Sequence, residues 1–224
     1  MGYIKPEIYQ SICNDADIKV PNVFIETGTF KGGVPLRMLE ENGNLDPFDK
    51  VYTIELGHDI CKVASRRYKL LEKGTVAKNI LHTNDMDEKF EANSWQEYFN
   101  GKLTLCHGDS ANEIKSILKN INEPVCFWLD AHAGAAKYAK GPEDCPLLQE
   151  LDLIADHNIK NHIIAIDDSH MLGTIQKDTN GNIICDYSNI TMAMVQEKIK
   201  KINPKYDIGV YRPYNMDMLI AFVQ

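Results

Sequence analysis

Apolar and polar positions alternate along the chain in a repeating order. Short apolar runs occupy residues 23–25, 51–54, 103–106, 125–129 and 163–166. Short, mostly apolar runs of this kind mark strands buried on both faces. Each is followed by a stretch with helical period: residues 34–41, 58–73, 111–120 and 146–157, with 191–202 after the fifth run. In the third of these Ile114, Ile117 and Leu118 share one face; in the fourth Leu147, Leu148, Leu151 and Ile154 do so. A short helix from Pro6 to about Asn14 precedes the first strand. Two last strands, 206–211 and 216–223, are separated by a turn at 212–215, which makes them antiparallel neighbours.

Five strand–helix alternations imply a mostly parallel sheet with helices on both faces. The terminal hairpin supplies one antiparallel strand, and the whole of 1–224 reads as a single α/β domain. Residues 75–101 form a strongly polar stretch too long for an ordinary connection. It carries Phe90, Trp95, Tyr98 and Phe99, and it reads as an insertion between the second and third strands with a short helix started by Ser94. Substrate contact, homodimer formation and a packed surface excursion are all open to it. Residues 177–190 read as a loop with a turn at Asn180-Gly181.

Composition narrows the partners. A net charge of -8 opposes a nucleic-acid partner held by general attraction. No apolar run is long enough to span a membrane, and the first residues lack the charged-then-apolar order of a signal peptide. Cys13, Cys61, Cys106, Cys126, Cys145 and Cys185 show neither zinc nor redox spacing. They read as reduced thiols, and the expected location is cytoplasmic.

The candidate chemistry lies where the strands end. In open α/β sheets ligands bind at the carboxyl ends of the strands. Here the ends are acidic: Glu26, Glu55, Asp109, Asp130, and Asp167 with Asp168. After the first strand comes Glu26-Thr27-Gly28-Thr29-Phe30-Lys31-Gly32-Gly33, a glycine turn in which a ligand can approach bare backbone. Its Glu-x-Gly-x-x-x-Gly spacing differs from the Gly-x-Gly-x-x-Gly of dinucleotide dehydrogenases. It resembles the first motif of class I S-adenosylmethionine (SAM) dependent methyltransferases. The order of elements is similar to their Rossmann-like seven-stranded sheet over nearly the whole chain.

That resemblance implies SAM as cofactor. Glu26 and Asp130 would then face its cationic ammonium and sulfonium groups. Its carboxylate would meet the turn of Gly28, Thr29 and Gly32, and Glu55 would accept bonds from the ribose hydroxyls. Asp109 resembles the family's acceptor for the adenine amino group, with the Ser110 N–H on a ring nitrogen; a helix cap is the other reading of Asp109-Ser110.

Asp130, Asp167 and Asp168 end adjacent strands, and three carboxylates together repel unless a cation joins them. Hard ions such as Mg²⁺ prefer oxygen ligands. Residues 127–132 and 164–170 resemble the acidic segments of metal-dependent O-methyltransferases of the catechol and macrocin types, and 139–151 resembles macrocin-like proteins. This implies that Mg²⁺ on Asp130, Asp167 and Asp168 would lower the pKa of a substrate hydroxyl on a sugar or other small molecule. His132 and His170 are the candidate bases. Residues 133–145, with Gly134, Lys137, Lys140 and Gly141, read as a lid. Two other functions share the fold: an NAD(P)-dependent oxidoreductase, which the glycine spacing disfavours, and a non-catalytic module.

Overall fold

A computed structural model describes residues 4–39, 48–73, 96–132, 141–212 and 217–224. In chain order its elements are α1 (Pro6–Ala16), β1 (Val23–Thr27), α2 (Gly33–Met38), β2 (Lys50–Glu55), α3 (His58–Glu72), β3 (Gln96–Phe99), β4 (Leu103–His107), α4 (Ser110–Leu118), β5 (Val125–Leu129), α5 (Leu147–Asp156) and β6 (Ile163–Ile166). A 3₁₀ turn (Ser169–Met171), β7 (Ile175–Lys177), β8 (Ile183–Asp186), α6 (Met192–Ile202), β9 (Tyr206–Tyr211) and β10 (Met218–Val223) complete it.

The main sheet has the order β3-β4-β2-β1-β5-β6-β10-β9. The five apolar runs become its parallel centre, β4-β2-β1-β5-β6. Strand β10 runs antiparallel to β6 and to β9, so the terminal hairpin is as expected. Strand order reverses at β1, which pairs with β2 on one side and β5 on the other. That reversal is where an open sheet leaves a crevice for a ligand.

Successive side chains leave a strand on opposite faces, and this sorts the core into two layers. Val23, Ile25, Phe127, Leu129, Ile164 and Ile166 pack with the apolar stripes of α4, α5 and α6. Phe24, Val51, Cys126, Trp128, Ile163 and Ala165 pack with α1, α2 and α3. The Tyr9 hydroxyl donates to the Phe127 carbonyl at 2.8 Å and fastens α1 to the middle of the sheet. All six cysteines are buried free thiols. Among the described residues no helix is long and apolar enough to cross a membrane.

Three features differ from the sequence reading. An eighth strand, β3, pairs antiparallel with β4 at the sheet's edge, at the end of the segment read as an insertion with a helix. Only Phe99 of its residues is buried, so it lacks the apolar run that marks the central strands. The rest of that segment, 75–95 with Phe90, Ser94 and Trp95, lies outside the described residues. Second, β8 lies within what reads as a loop and pairs with β7, which ends at that loop's first residue. The Asn180-Gly181 turn between them is present, with the Asp178 carboxylate accepting the N–H groups of Asn180 and Asn182. Third, α2 ends at Met38 rather than near Asn42-Gly43, a stop signal outside the described residues.

Candidate active site

The turn after β1 is held from three sides. The N–H groups of Gly28 and Thr29 both donate to the Ile54 carbonyl, at 2.9 and 3.1 Å. Gly28 has φ +80°, and a Cβ there would lie 2.3 Å from the Asp130 carbonyl oxygen. Gly32, φ +74°, would set a Cβ 2.4 Å from the Tyr68 hydroxyl. Both glycines are therefore required by the protein's own packing.

The expected cofactor carboxylates Glu26 and Glu55 act on this turn. Glu26 is 1% exposed. By strand alternation it points into the α1–α3 layer, one residue short of the rim. The Thr53 hydroxyl donates to it at 2.5 Å, and Thr53 shares a further hydrogen bond with Thr29. Glu55 accepts the N–H of Phe30 and the N–H of Gly57, each at 2.7 Å. Burial pushes the Glu26 carboxyl well above the usual range, and the carboxylates of Asp130 and Glu55 add to this against the Thr53 hydrogen bond. Burial raises Glu55 as well, while the N–H groups of Gly57 and Phe30 oppose the shift. Thr53 was not among the sequence candidates; a hydroxyl inside a buried strand, two residues before Glu55, is the signal for it.

At the β5 and β6 ends the three aspartates come together around a ring. His132 Nε2 lies 3.1 Å from Asp130 Oδ1 and 3.4 Å from Asp168 Oδ2. These are ion-pair distances, so the ring and the two carboxylates act on one another electrostatically. Asp168 sits at φ +47°, a strained conformation for a non-glycine residue. The His132 hydrogen bond draws its pKa down. Asp130 is raised, burial outweighing the pull of His132. Asp167 is pushed up to about 7 by burial and by the charges of Asp130 and Asp168. His170, half exposed, has Nδ1 4.0 Å from Asp168 Oδ1.

Among the described residues no three His, Cys, Asp or Glu side chains are grouped as a metal ion requires. The imidazole of His132 takes the place between Asp130 and Asp168 where the sequence put Mg²⁺.

Asp109 caps α4, its side chain accepting the Ala111 N–H at 3.0 Å. The helix-cap reading of this residue is therefore realised. Ser110 is buried and turns toward Glu150 on α5. Glu150 is a site residue the sequence reading missed. It is 1% exposed and lies on the same helical stripe as Leu147, Leu151 and Ile154. A charge on that apolar stripe was the available signal. Burial pushes its carboxyl up to about 7, with Asp109 and Asp130 raising it and the Ser110 and Thr27 hydroxyls lowering it. Glu150 lines a small open cleft whose wall also holds Asp130, His132, Asp167, Asp168 and Tyr187. Residues 133–140 of the expected lid, with Lys137 and Lys140, lie outside the described residues.

A parallel sheet reversing at β1, a glycine turn over that strand and an antiparallel terminal hairpin together define the class I methyltransferase fold. A methyltransferase of Podospora anserina, PaMTH1, solved with S-adenosylhomocysteine, matches 98% of this chain over 78% of its own, with 13% identity and a TM-score of 0.52. A candidate O-methyltransferase of Klebsiella pneumoniae matches 98% over 79%, with 12% identity and a TM-score of 0.51. At these identities the likeness is one of fold. No protein-family model matches the sequence, and no curated protein matches it.

Proposed function

We propose that this chain is a SAM-dependent methyltransferase acting on a hydroxyl of a small molecule, such as a sugar, in the cytoplasm. The observation that carries this reading is the gathering of acids from five strands at one end of the sheet. Glu26, Glu55 and Asp130 are close enough for the last two to raise the pKa of the first, and Asp130 also lines a cleft. A sulfonium cofactor is a cation and suits such a rim. The neighbour of the same fold solved with S-adenosylhomocysteine supports the same cofactor.

In this reading the cofactor crosses the rim from the Gly28 turn toward Asp109 and Ser110, with its methyl group directed at the cleft. The acceptor oxygen attacks the methyl carbon, the carbon–sulfur bond breaks, and S-adenosylhomocysteine leaves. The hydroxyl proton passes to a base. Both expected bases stand beside Asp168, His132 in the cleft wall and His170 half exposed.

Magnesium is the finer part of the expectation. Repulsion among Asp130, Asp167 and Asp168 favours a cation, and a protonated His132 would meet part of that need. Calorimetric titration with SAM and with NAD, each with Mg²⁺ and with chelator, tests the reading. Saturable SAM binding without NAD binding supports it; NAD binding alone supports the oxidoreductase. Binding of neither favours a non-catalytic module. SAM-dependent methyl transfer abolished by chelator and restored by Mg²⁺ would return the metal to the mechanism.

A further inference from the structure

We propose that β9 pairs antiparallel with β9 of a second copy of this chain, about a two-fold axis that passes beside Gly209. The two edges of the main sheet are built differently. Strand β3 is four residues long and carries Gln96 and Glu97, with Lys69 of α3 4.0 Å from Glu97. Short length and charge keep an edge from pairing with another chain. Strand β9 holds six residues, Tyr206–Tyr211, in unbroken register with β10. It contains neither proline nor lysine, and among the described residues no strand lies on its outer side. Val210 and Tyr211 are 45% and 43% exposed, so this edge is long, unbroken and partly apolar.

Gly209 is a second, independent sign. A glycine weakens a strand and often marks the close approach of another backbone. Its φ is not positive, and a Cβ there would meet nothing within 4 Å. Neither conformation nor a neighbour among the described residues therefore requires a glycine at this position.

The occupant is a second copy because the strand is complementary to itself. A two-fold axis between antiparallel strands sets one residue opposite itself. With Gly209 in that place, Ile208 faces Val210 of the partner subunit on one side of the sheet. On the other side Asp207 faces Tyr211 of the partner subunit, a carboxylate opposite a phenol donor, and like charges do not meet. Each Tyr211 ring then stands diagonal to the paired glycines, where an aromatic covers the gap they leave. The axis makes each of these contacts twice.

Sedimentation equilibrium on the whole chain, without ligand, tests the pairing. Reversible dimerisation is expected below about 100 µM, as suits a small interface. Val210→Lys, which sets an ammonium on the edge, should raise the dissociation constant at least about tenfold. Gly209→Cys should cross-link across the axis under mild oxidation, because opposed Cα atoms lie about 4.5–5.5 Å apart, within disulfide reach. The six native cysteines are buried, which makes the parent chain the control. A chain that stays monomeric, leaving the edge to a different partner, overturns the proposal. So does a dimer that Val210→Lys leaves intact or that Gly209→Cys does not cross-link. Should Val210→Lys fail to fold, the Gly209→Cys result decides. None of these readouts depends on methyl transfer.

Discussion

The turn after β1 and the end of β5 meet at Gly28 and Asp130, where a Cβ on the glycine would stand 2.3 Å from the aspartate's carbonyl oxygen. The two strands flank the point of reversal in the sheet, so this contact fixes the floor of the crevice. Backbone cannot yield as a flexible side chain can, and φ at Gly28 is also positive. Gly28→Ala should therefore cost about 2 kcal/mol or more, read from urea unfolding. Gly33→Ala, whose Cβ would meet nothing within 4 Å, should stay within about 0.5 kcal/mol. Equal losses at the two positions would contradict this account of the turn.

Thr53 and Glu26 form the buried half of the same support. Thr53→Val keeps the shape and removes the hydroxyl, leaving a carboxyl without its donor and Thr29 without its partner. The expected loss is about 1–3 kcal/mol. A double-mutant cycle with Glu26→Gln should show a coupling of about 1 kcal/mol. Strict additivity would mean that the two side chains do not act together.

Glu150 should make stability depend on pH in an unusual direction for a carboxyl. Its pKa is about 7 in the fold against 4.5 in solvent, so the folded state holds the proton more tightly. The stability this contributes is full below about 4.5 and is lost as pH rises through 7, at about 1.4 kcal/mol per unit. Glu150→Gln should consequently be more stable than the parent at about pH 8, with the difference shrinking toward about pH 4. A stability difference independent of pH would remove the buried-charge argument.

His162 titrates the other way. It is fully buried at the opposite end of β6, and its Nδ1 accepts the Val125 N–H at 3.1 Å. Its Nε2–H therefore donates to His157 Nδ1, 3.1 Å away, and His157 Nε2–H donates to the Ile121 carbonyl at 2.9 Å. Burial, with His157 adding to it, lowers the His162 pKa to about 3. The neutral ring's contribution is complete above about pH 6.5 and is lost as pH falls toward 3, again at about 1.4 kcal/mol per unit. His162→Asn, which keeps an acceptor for Val125 but does not titrate, should flatten the acid limb of unfolding midpoint against pH. An unchanged slope would contradict the neutral-ring assignment.

The central strands were legible because each is a short, mostly apolar run that leads to an acid, as in 125–129 followed by Asp130. Strand β3 was not: Gln96, Glu97 and Tyr98 carry no apolar run, and an edge strand needs a partner on one side only. The acids at the rim were legible as a set but not in their individual aims. Whether Glu26 reaches the surface depends on a single step of strand alternation. Whether His132 or an ion stands between Asp130 and Asp168 depends on the β5–β6 register, Leu129 opposite Ile166. For Glu150 the clue lay in the helical period, where one charged residue shares a stripe with Leu147, Leu151 and Ile154.

A crystal structure of the chain with S-adenosylhomocysteine tests the central claim most directly. The account expects the ligand along the strand ends, its amino-acid portion at the Gly28–Gly32 turn, its ribose near Glu55 and its adenine beside Asp109 and Ser110. A ligand bound away from these residues, or absent from crystals grown at saturating concentration, would contradict it.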